Sequence, residues 1–312
     1  MKLGEHAISD SAINASQSVR KGAQIRFKET AIALIFILPS LAGFVAFFVV
    51  PAVRGLYISF TDWNLLTPSK PVGLANYAAL LTDPDFWNAL KVTVFYVLWN
   101  IPLQTVLAVA VALVMNAAAK SSLLKGVILL PWLMPNVVVA LLWMWILDPT
   151  IGLINVAVKA LGGPLLPFLS SPGMALPTIA GINIWRYLGY TALLVFAGLQ
   201  TIPTDVYEAA RIDGSGERQT FWRITLPLLR PVLAFVVVTS VLGSFQIFDT
   251  VAVTTKGGPI NATKVFNYMI YQQAFERFQM GYATAVSMVL FLILVGVGLL
   301  QMKLLRAGEV ET

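Results

Sequence analysis

Residues 92–119 read VTVFYVLWNIPLQTVLAVAVALVMNAAA, and no charged side chain occurs between Lys91 and Lys120. The hydrocarbon core of a bilayer is about 30 Å thick and is crossed by about 20 apolar residues in a helix. Inside it, every backbone N–H and C=O has to be paired within the segment, which a helix achieves and an isolated strand does not. The run therefore reads as a transmembrane helix. Four other stretches lack charge in the same way: 30–53, 126–147, 231–248 and 278–302. A sixth apolar stretch, 176–199, carries Arg186 near its middle. The expected fold is all-α. It is a polytopic membrane protein with six transmembrane helices over residues 30–305, a cytoplasmic tail at 1–29 and a second cytoplasmic tail at 306–312.

Composition agrees. The 312 residues are 58% hydrophobic and 12% charged, with a mean hydropathy of +0.79, whereas a soluble domain is about 25% charged. Soluble enzymes and nucleic-acid-binding proteins are poor matches. The chain has no cysteine and one histidine, His6 in the N-terminal tail. Disulfide frameworks, thiolate chemistry and Cys- or His-ligated metals are thereby excluded from the expectation. The net charge of +6 reads as topology rather than as affinity for nucleic acid. With the N-terminus inside and the spans alternating, the inner segments hold thirteen Lys and Arg and the outer loops seven. This bias places both termini in the cytoplasm.

The connections are unequal. Outer loops at about 54–91, 148–175 and 249–277 are long, whereas the inner connection 115–125 is short. The inner segment 200–230 exceeds a simple turn. Residues 201–230 read TIPTDVYEAARIDGSGERQTFWRITLPLLR. Thr204 or Asp205 can cap a short helix, Gly214 suits the residue just beyond its end, and Ser215 offers a second cap. Leu226-Pro227 is expected to break the pattern before the fifth span. Small Ala209 and Ala210 beside the charges of Glu208, Arg211 and Asp213 suit a knob that docks a partner at the membrane surface. A helix lying on the bilayer would be more basic.

The spacing of Glu208-Ala209-Ala210, then Gly214, then Ile224, Leu226 and Pro227 resembles the EAA loop of binding-protein-dependent ABC importer permeases. Gly73-Leu74, Asn76-Tyr77 and Phe86, Gly257-Gly258-Pro259, and Gly281-Tyr282-Ala283 resemble the carbohydrate-uptake branch of that family. The resemblance covers roughly 30–305 and departs at Ser215-Gly216, where an Ala is commoner, and in having no extra N-terminal helices. It implies the type I ABC importer permease fold in a prokaryotic inner membrane. It also implies a second permease subunit, more often a paralogue than an identical copy, two ATP-binding subunits below and an external solute-binding protein above. ATP and Mg would be held by the ATP-binding subunits, with no cofactor on this chain, whose loops GSGERQT and GGPINATK do not fit a phosphate-binding P-loop. Glu208 would make a charged contact in the ATPase cleft, Ala209 and Ala210 would allow close approach, Gly214 would permit the turn, and Asp213, Ile224, Leu226 and Pro227 complete the coupling segment.

Polar groups inside spans face the bundle or a water-filled cavity. Asn183, Tyr187 and Tyr190 share one helical face with Arg186 beside it, Trp132 and Asn136 recur at helical spacing, and Gln246 joins Thr239 and Gly243 with Ser244 adjacent. Amides and aromatic rings suit a sugar, whose hydroxyls donate and accept while its C–H face stacks. The same residues also suit interhelical hydrogen bonding, the stronger reading for Asn100 and Gln104. Arg186 is open to two roles, contact with an anionic substrate or a pair across a permease dimer. Pro39, Pro102, Pro131 and Pro135 are candidate kinks. A secondary transporter acting alone would require an ion site or a carboxylate within the membrane, and Asp249 falls at an outer end of its span. An intramembrane enzyme would lack the usual nucleophile and acid–base sets.

Overall fold

The computed structural model describes residues 34–117 and 121–306. The expected tail at 1–29, residues 307–312 of the other tail, and Lys120 lie outside the described residues. The chain divides into two units, Met1–Tyr57 and Ile58–Thr312. The described part of the first, residues 34–57, lies in α1, Leu34–Ile58, with a π-helical turn at Val45–Val49. Pro39 stands in its first turns without ending it.

The second unit begins with a short helix, α2 (Ala75–Thr82), followed by α3 (Pro84–Ala117), which spans 34 residues. At 1.5 Å per residue α3 is about 50 Å long, enough to cross the bilayer and project beyond it. Pro102 lies within α3 and does not interrupt it. α4 (Ser122–Leu133) and α5 (Asn136–Ile146) occupy the expected third span but meet at an angle of 94°. Two prolines four residues apart, Pro131 and Pro135, remove successive donors from the helix ladder. Pro135 also drives Met134 into extended backbone, φ −75° and ψ 140°. The expected kink is thus a broken span. Among the described residues, five helices are individually long and apolar enough to cross a membrane, and the bent pair supplies a sixth if counted as one span.

After α6 (Leu153–Ala160) comes α7 (Pro172–Gln200), the partner of α3 along most of its length. α4 also packs on α7. A Cβ on Gly189 would lie 2.0 Å from the Ile128 carbonyl oxygen, so the two backbones approach this closely only with hydrogen at position 189. The turn before α6 is held by Asp148, which accepts from the N–H groups of Ile151 and Thr150 and from the Thr150 hydroxyl. These bonds, with Ile151 foremost, lower the Asp148 carboxyl below its ordinary range.

The segment 201–230 contains α8 (Thr204–Ile212) and α9 (Glu217–Thr220), which continues through a π-helical turn, Phe221–Thr225, and Leu226–Leu228. The expected break at Leu226-Pro227 falls two residues later, at Leu229. The π turn absorbs the donor that Pro227 lacks, because Leu226 N–H reaches back to the Phe221 carbonyl. α10 (Arg230–Phe245) packs on α3 and α7, and after Gln246–Phe248 the chain resumes as α11 (Asp249–Thr254), which packs on α5. α12 (Phe266–Tyr271) leads through a π turn to α13 (Met280–Arg306). The described residues contain no strand beyond a single bridge between Thr61 and Pro71.

The main core lies between α3, α7, α10, α12 and α13, around Tyr96, Ile179, Phe245, Phe266 and Val286. On the side bearing the long loops, Asp85 meets Lys264 at 2.8 Å and Arg277 at 3.7 Å. Lys264 is 3% exposed, so its ammonium is buried against this carboxylate. The long loops are therefore folded parts of the body.

Candidate functional site

Where α3, α7 and α10 converge there is a cavity of about 210 Å³. One face of α3 contributes Tyr96, Asn100 and Gln104 at four-residue spacing. From α7 come Asn183, Tyr187, Tyr190 and Thr191, and from α10 Thr239, Ser240, Gly243 and Ser244. The interruption after α10 adds Gln246, and the first turns of α5 and α11 add Asn136, Asp249 and Thr250.

Hydrogen bonds join these groups in three sets. Asn100 Nδ2 donates to Ser244 Oγ at 3.1 Å and to Gln104 Oε1 at 3.2 Å. Gln104 Nε2 donates to Thr191 Oγ1 at 2.8 Å. Thr250 Oγ1 donates to Asn183 Oδ1 at 3.2 Å, and Asn136 Nδ2 donates to Asp249 Oδ2 at 2.6 Å. Asn100 and Gln104 therefore do both things weighed for them: they tie helices together and they border the cavity. One acceptor is left over, because Asn100 Oδ1 is buried without a partner. A buried unpaired acceptor is costly, which suits a wall that receives a ligand's hydroxyl.

Asn136, Asn183, Tyr187, Tyr190, Ser244 and Gln246 all border this cavity. Trp132 is not in the lining but stacks on Tyr190, with ring centroids 4.7 Å apart. Arg186 does not line the cavity. Its Nη2 donates to the Met134 carbonyl at 2.9 Å and to the Trp132 carbonyl at 3.5 Å, and its Nε reaches the Met134 carbonyl at 3.3 Å. Its guanidinium also lies 4.6 Å from the centre of the Tyr187 ring. The bend between α4 and α5 exposes carbonyls that no helix satisfies, and Arg186 satisfies them. This bracing is an intrachain role that neither sequence-based reading of Arg186 had named. Asp249 is corrected in the other direction: it lies in the cavity wall rather than at an outer end of the span. The break after Phe245 folds it inward, a turn that a charge-free run cannot reveal. Tyr96 and Thr191 were also missed, although Tyr96 falls four residues before Asn100 on the same face.

The inner segment has its own geometry. α8 ends in a paired turn in which Ser215 N–H bonds the Ala210 carbonyl at 2.9 Å and Gly214 N–H bonds the Arg211 carbonyl at 3.0 Å. Gly214 closes it at φ +78°, where a Cβ would meet nothing, so glycine is required by conformation alone. Side-chain caps are absent: Pro203 and Gly216 precede the two helices, in place of the expected Thr204 or Asp205 and Ser215. Glu208, Ala209, Arg211 and Asp213 are exposed, and Ile212 is 87% exposed. Ala210 is buried within this chain, so the close approach it permits is internal. Tyr207 anchors α8 by packing on Leu229 and Ile202 and by its hydroxyl, 3.3 Å from Thr225 Oγ1. Ile224 is half-buried, and Leu226 and Pro227 border an apolar groove with Trp222 and Arg230.

Residues 104–302 match the family described as the binding-protein-dependent transport system inner membrane component. The chain belongs to this family. Among its relatives, the probable ABC transporter permease protein YesP of Bacillus subtilis (strain 168) is 34% identical over 302 residues, covering 95% of this chain and 96% of YesP. The trehalose/maltose transport system permease protein MalF of Thermococcus litoralis is 31% identical over 285 residues, covering 91% of this chain and 96% of MalF. In structure, a chain of a bacterial ABC transporter that imports the acidic polysaccharide alginate matches with a TM-score of 0.80, over 91% of this chain and 98% of that one. At 22% identity that likeness is one of fold. This permease is accordingly a multi-pass inner-membrane component of a transporter and not its ATP-hydrolysing subunit.

Proposed function

We propose that this permease forms half of the translocation pathway of an ATP-driven importer for a carbohydrate. The observation that carries this reading is the amide- and hydroxyl-lined cavity, with Tyr190 stacked on Trp132 at its edge and the unpartnered Asn100 Oδ1 in its wall. Amides and hydroxyls donate and accept as sugar hydroxyls do, and a stacked aromatic pair holds a flat face in place. A relative named for trehalose/maltose transport agrees with it. A binding protein delivers the saccharide from outside, a second permease closes the other half of the pathway, and two ATPase subunits sit on the cytoplasmic side, where both termini also lie.

Coupling to those subunits runs through α8. Its carboxylates and Arg211 form no ion pair among the described residues, while Tyr207 and Ala210 fix the helix to the body. A knob that is rigidly mounted and presents exposed charge and Ile212 transmits a push without deforming. Closure of the ATPase dimer would move α8 and, through the continuous helix from Glu217 to Leu228, α10 and the cavity wall.

The test is uptake of labelled mono- to tetrasaccharides into vesicles carrying the whole assembly. Uptake is expected to require internal ATP and the binding protein together. Uptake by this chain alone, driven by an ion gradient and indifferent to ATP, would overturn the reading. That rival deserves the control because Asp249 does lie in the cavity.

A further inference from the structure

The cavity contains one acidic side chain and no basic one. Asp249 is its sole carboxylate, and no Lys, Arg or His lines it. Arg186, whose guanidinium packs on the Tyr187 ring, is not in the lining. Arg186 directs its donors to the Met134 and Trp132 carbonyls, and the ion pairs among the described residues all converge on Asp85. The partner of Asp249 is a neutral amide, Asn136, which fixes the carboxylate at the start of α11 without neutralising it. The partial positive charge at the N-termini of α5 and α11 is met by this carboxylate itself, so an incoming anion would have to displace it.

From this we propose that Asp249 is a specificity-determining residue and that the cavity selects uncharged saccharides over anionic ones. The inference rests on the carbohydrate reading above. A hydroxyl can donate to the carboxylate in a charge-assisted hydrogen bond. A uronate, sulfonate or phosphate in the same small volume would face a like charge with little water between them, and such juxtapositions are strongly unfavourable. The amides and hydroxyls of the wall donate to either kind of ligand and so do not discriminate. The discrimination falls on Asp249.

The experiment uses vesicles carrying the complete assembly and a panel of neutral saccharides, glucose to maltotetraose and their galacto- and manno-counterparts. Each is paired with the derivative oxidised at C6 to the uronate. For the pair transported, the neutral form is expected to be taken up at least about tenfold faster than its uronate. Asp249→Asn should narrow that ratio at least about threefold, and Gln246→Glu, which adds a second carboxylate to the wall, should widen it. The binding protein is the same throughout, so a change in ratio reports on the permease. If Asp249→Asn does not assemble, Gln246→Glu decides. A uronate carried as well as its neutral partner by the unaltered protein, or a ratio unmoved by either variant, overturns the inference and leaves the carbohydrate reading intact. Absence of ATP-dependent uptake for every member of the panel, in both forms, overturns the carbohydrate reading and the inference with it.

Discussion

The guanidinium of Arg186 bonds the carbonyl of Met134 at 2.9 Å, joining the middle of α7 to the corner between α4 and α5, 52 residues away in sequence. The charge in the middle of that span braces a bend. Replacing Arg186 with Ala leaves the Met134 and Trp132 carbonyls without their donor. A loss of about 2 kcal/mol in stability is expected. Lysine, a point donor without the planar fork, should restore part of it. Thermal unfolding of the purified permease in detergent measures the loss. The preference between neutral and anionic saccharides should not move, and a shift in that preference would return Arg186 to the pathway.

Asn136 links α5 to α11 through Asp249, so the bent pair is tied to the cavity wall. Asn136→Asp sets two carboxylates against each other and is expected to reduce uptake at least about tenfold. Asn136→Ser, which keeps a donor, should reduce it less. Equal uptake by both variants would show that this link is dispensable.

Gly214 closes α8 at a positive φ with open space around it. Alanine there brings no clash, only the cost of left-handed backbone, about 1 kcal/mol. Asparagine tolerates that region better. The expected result is a rise in ATP hydrolysed per saccharide imported for Gly214→Ala and a smaller rise for Gly214→Asn, read from paired hydrolysis and uptake assays.

Asp85 supports a buried lysine, Lys264, and an exposed arginine, Arg277. Asp85→Ala leaves the ammonium of Lys264 unpaired in the interior, and a loss of about 3–5 kcal/mol is expected. Pairing it with Lys264→Met should recover much of the loss, because the uncompensated charge is then gone. Thermal melts of the single and double variants decide this.

Much of the architecture could be read from where charge is missing, because a bilayer excludes ions more strictly than any local propensity shapes helices. Gly214 was legible for a similar reason: a helix end at positive φ admits few residue types. Features that depend on direction were not. Pro131 and Pro135 announced a kink but not its 94° angle. The charge-free run ending at Phe248 placed Asp249 at a boundary, whereas a break of a few residues turns it inward. Ala209 and Ala210 are alike in sequence, and only the docking of Tyr207 decides that one faces out and the other in.

The central claim is that α8 is the element through which the ATPase acts. The chain contains no cysteine, so Ile212→Cys gives it a single thiol, at a position 87% exposed at the end of α8. In the complete assembly, a bifunctional maleimide should join this thiol to a cysteine in the membrane-facing cleft of the ATPase subunit, and the adduct should abolish ATP-driven uptake. Labelling of the same thiol from the outer side by a membrane-impermeant maleimide, with no adduct to the ATPase, would contradict the account.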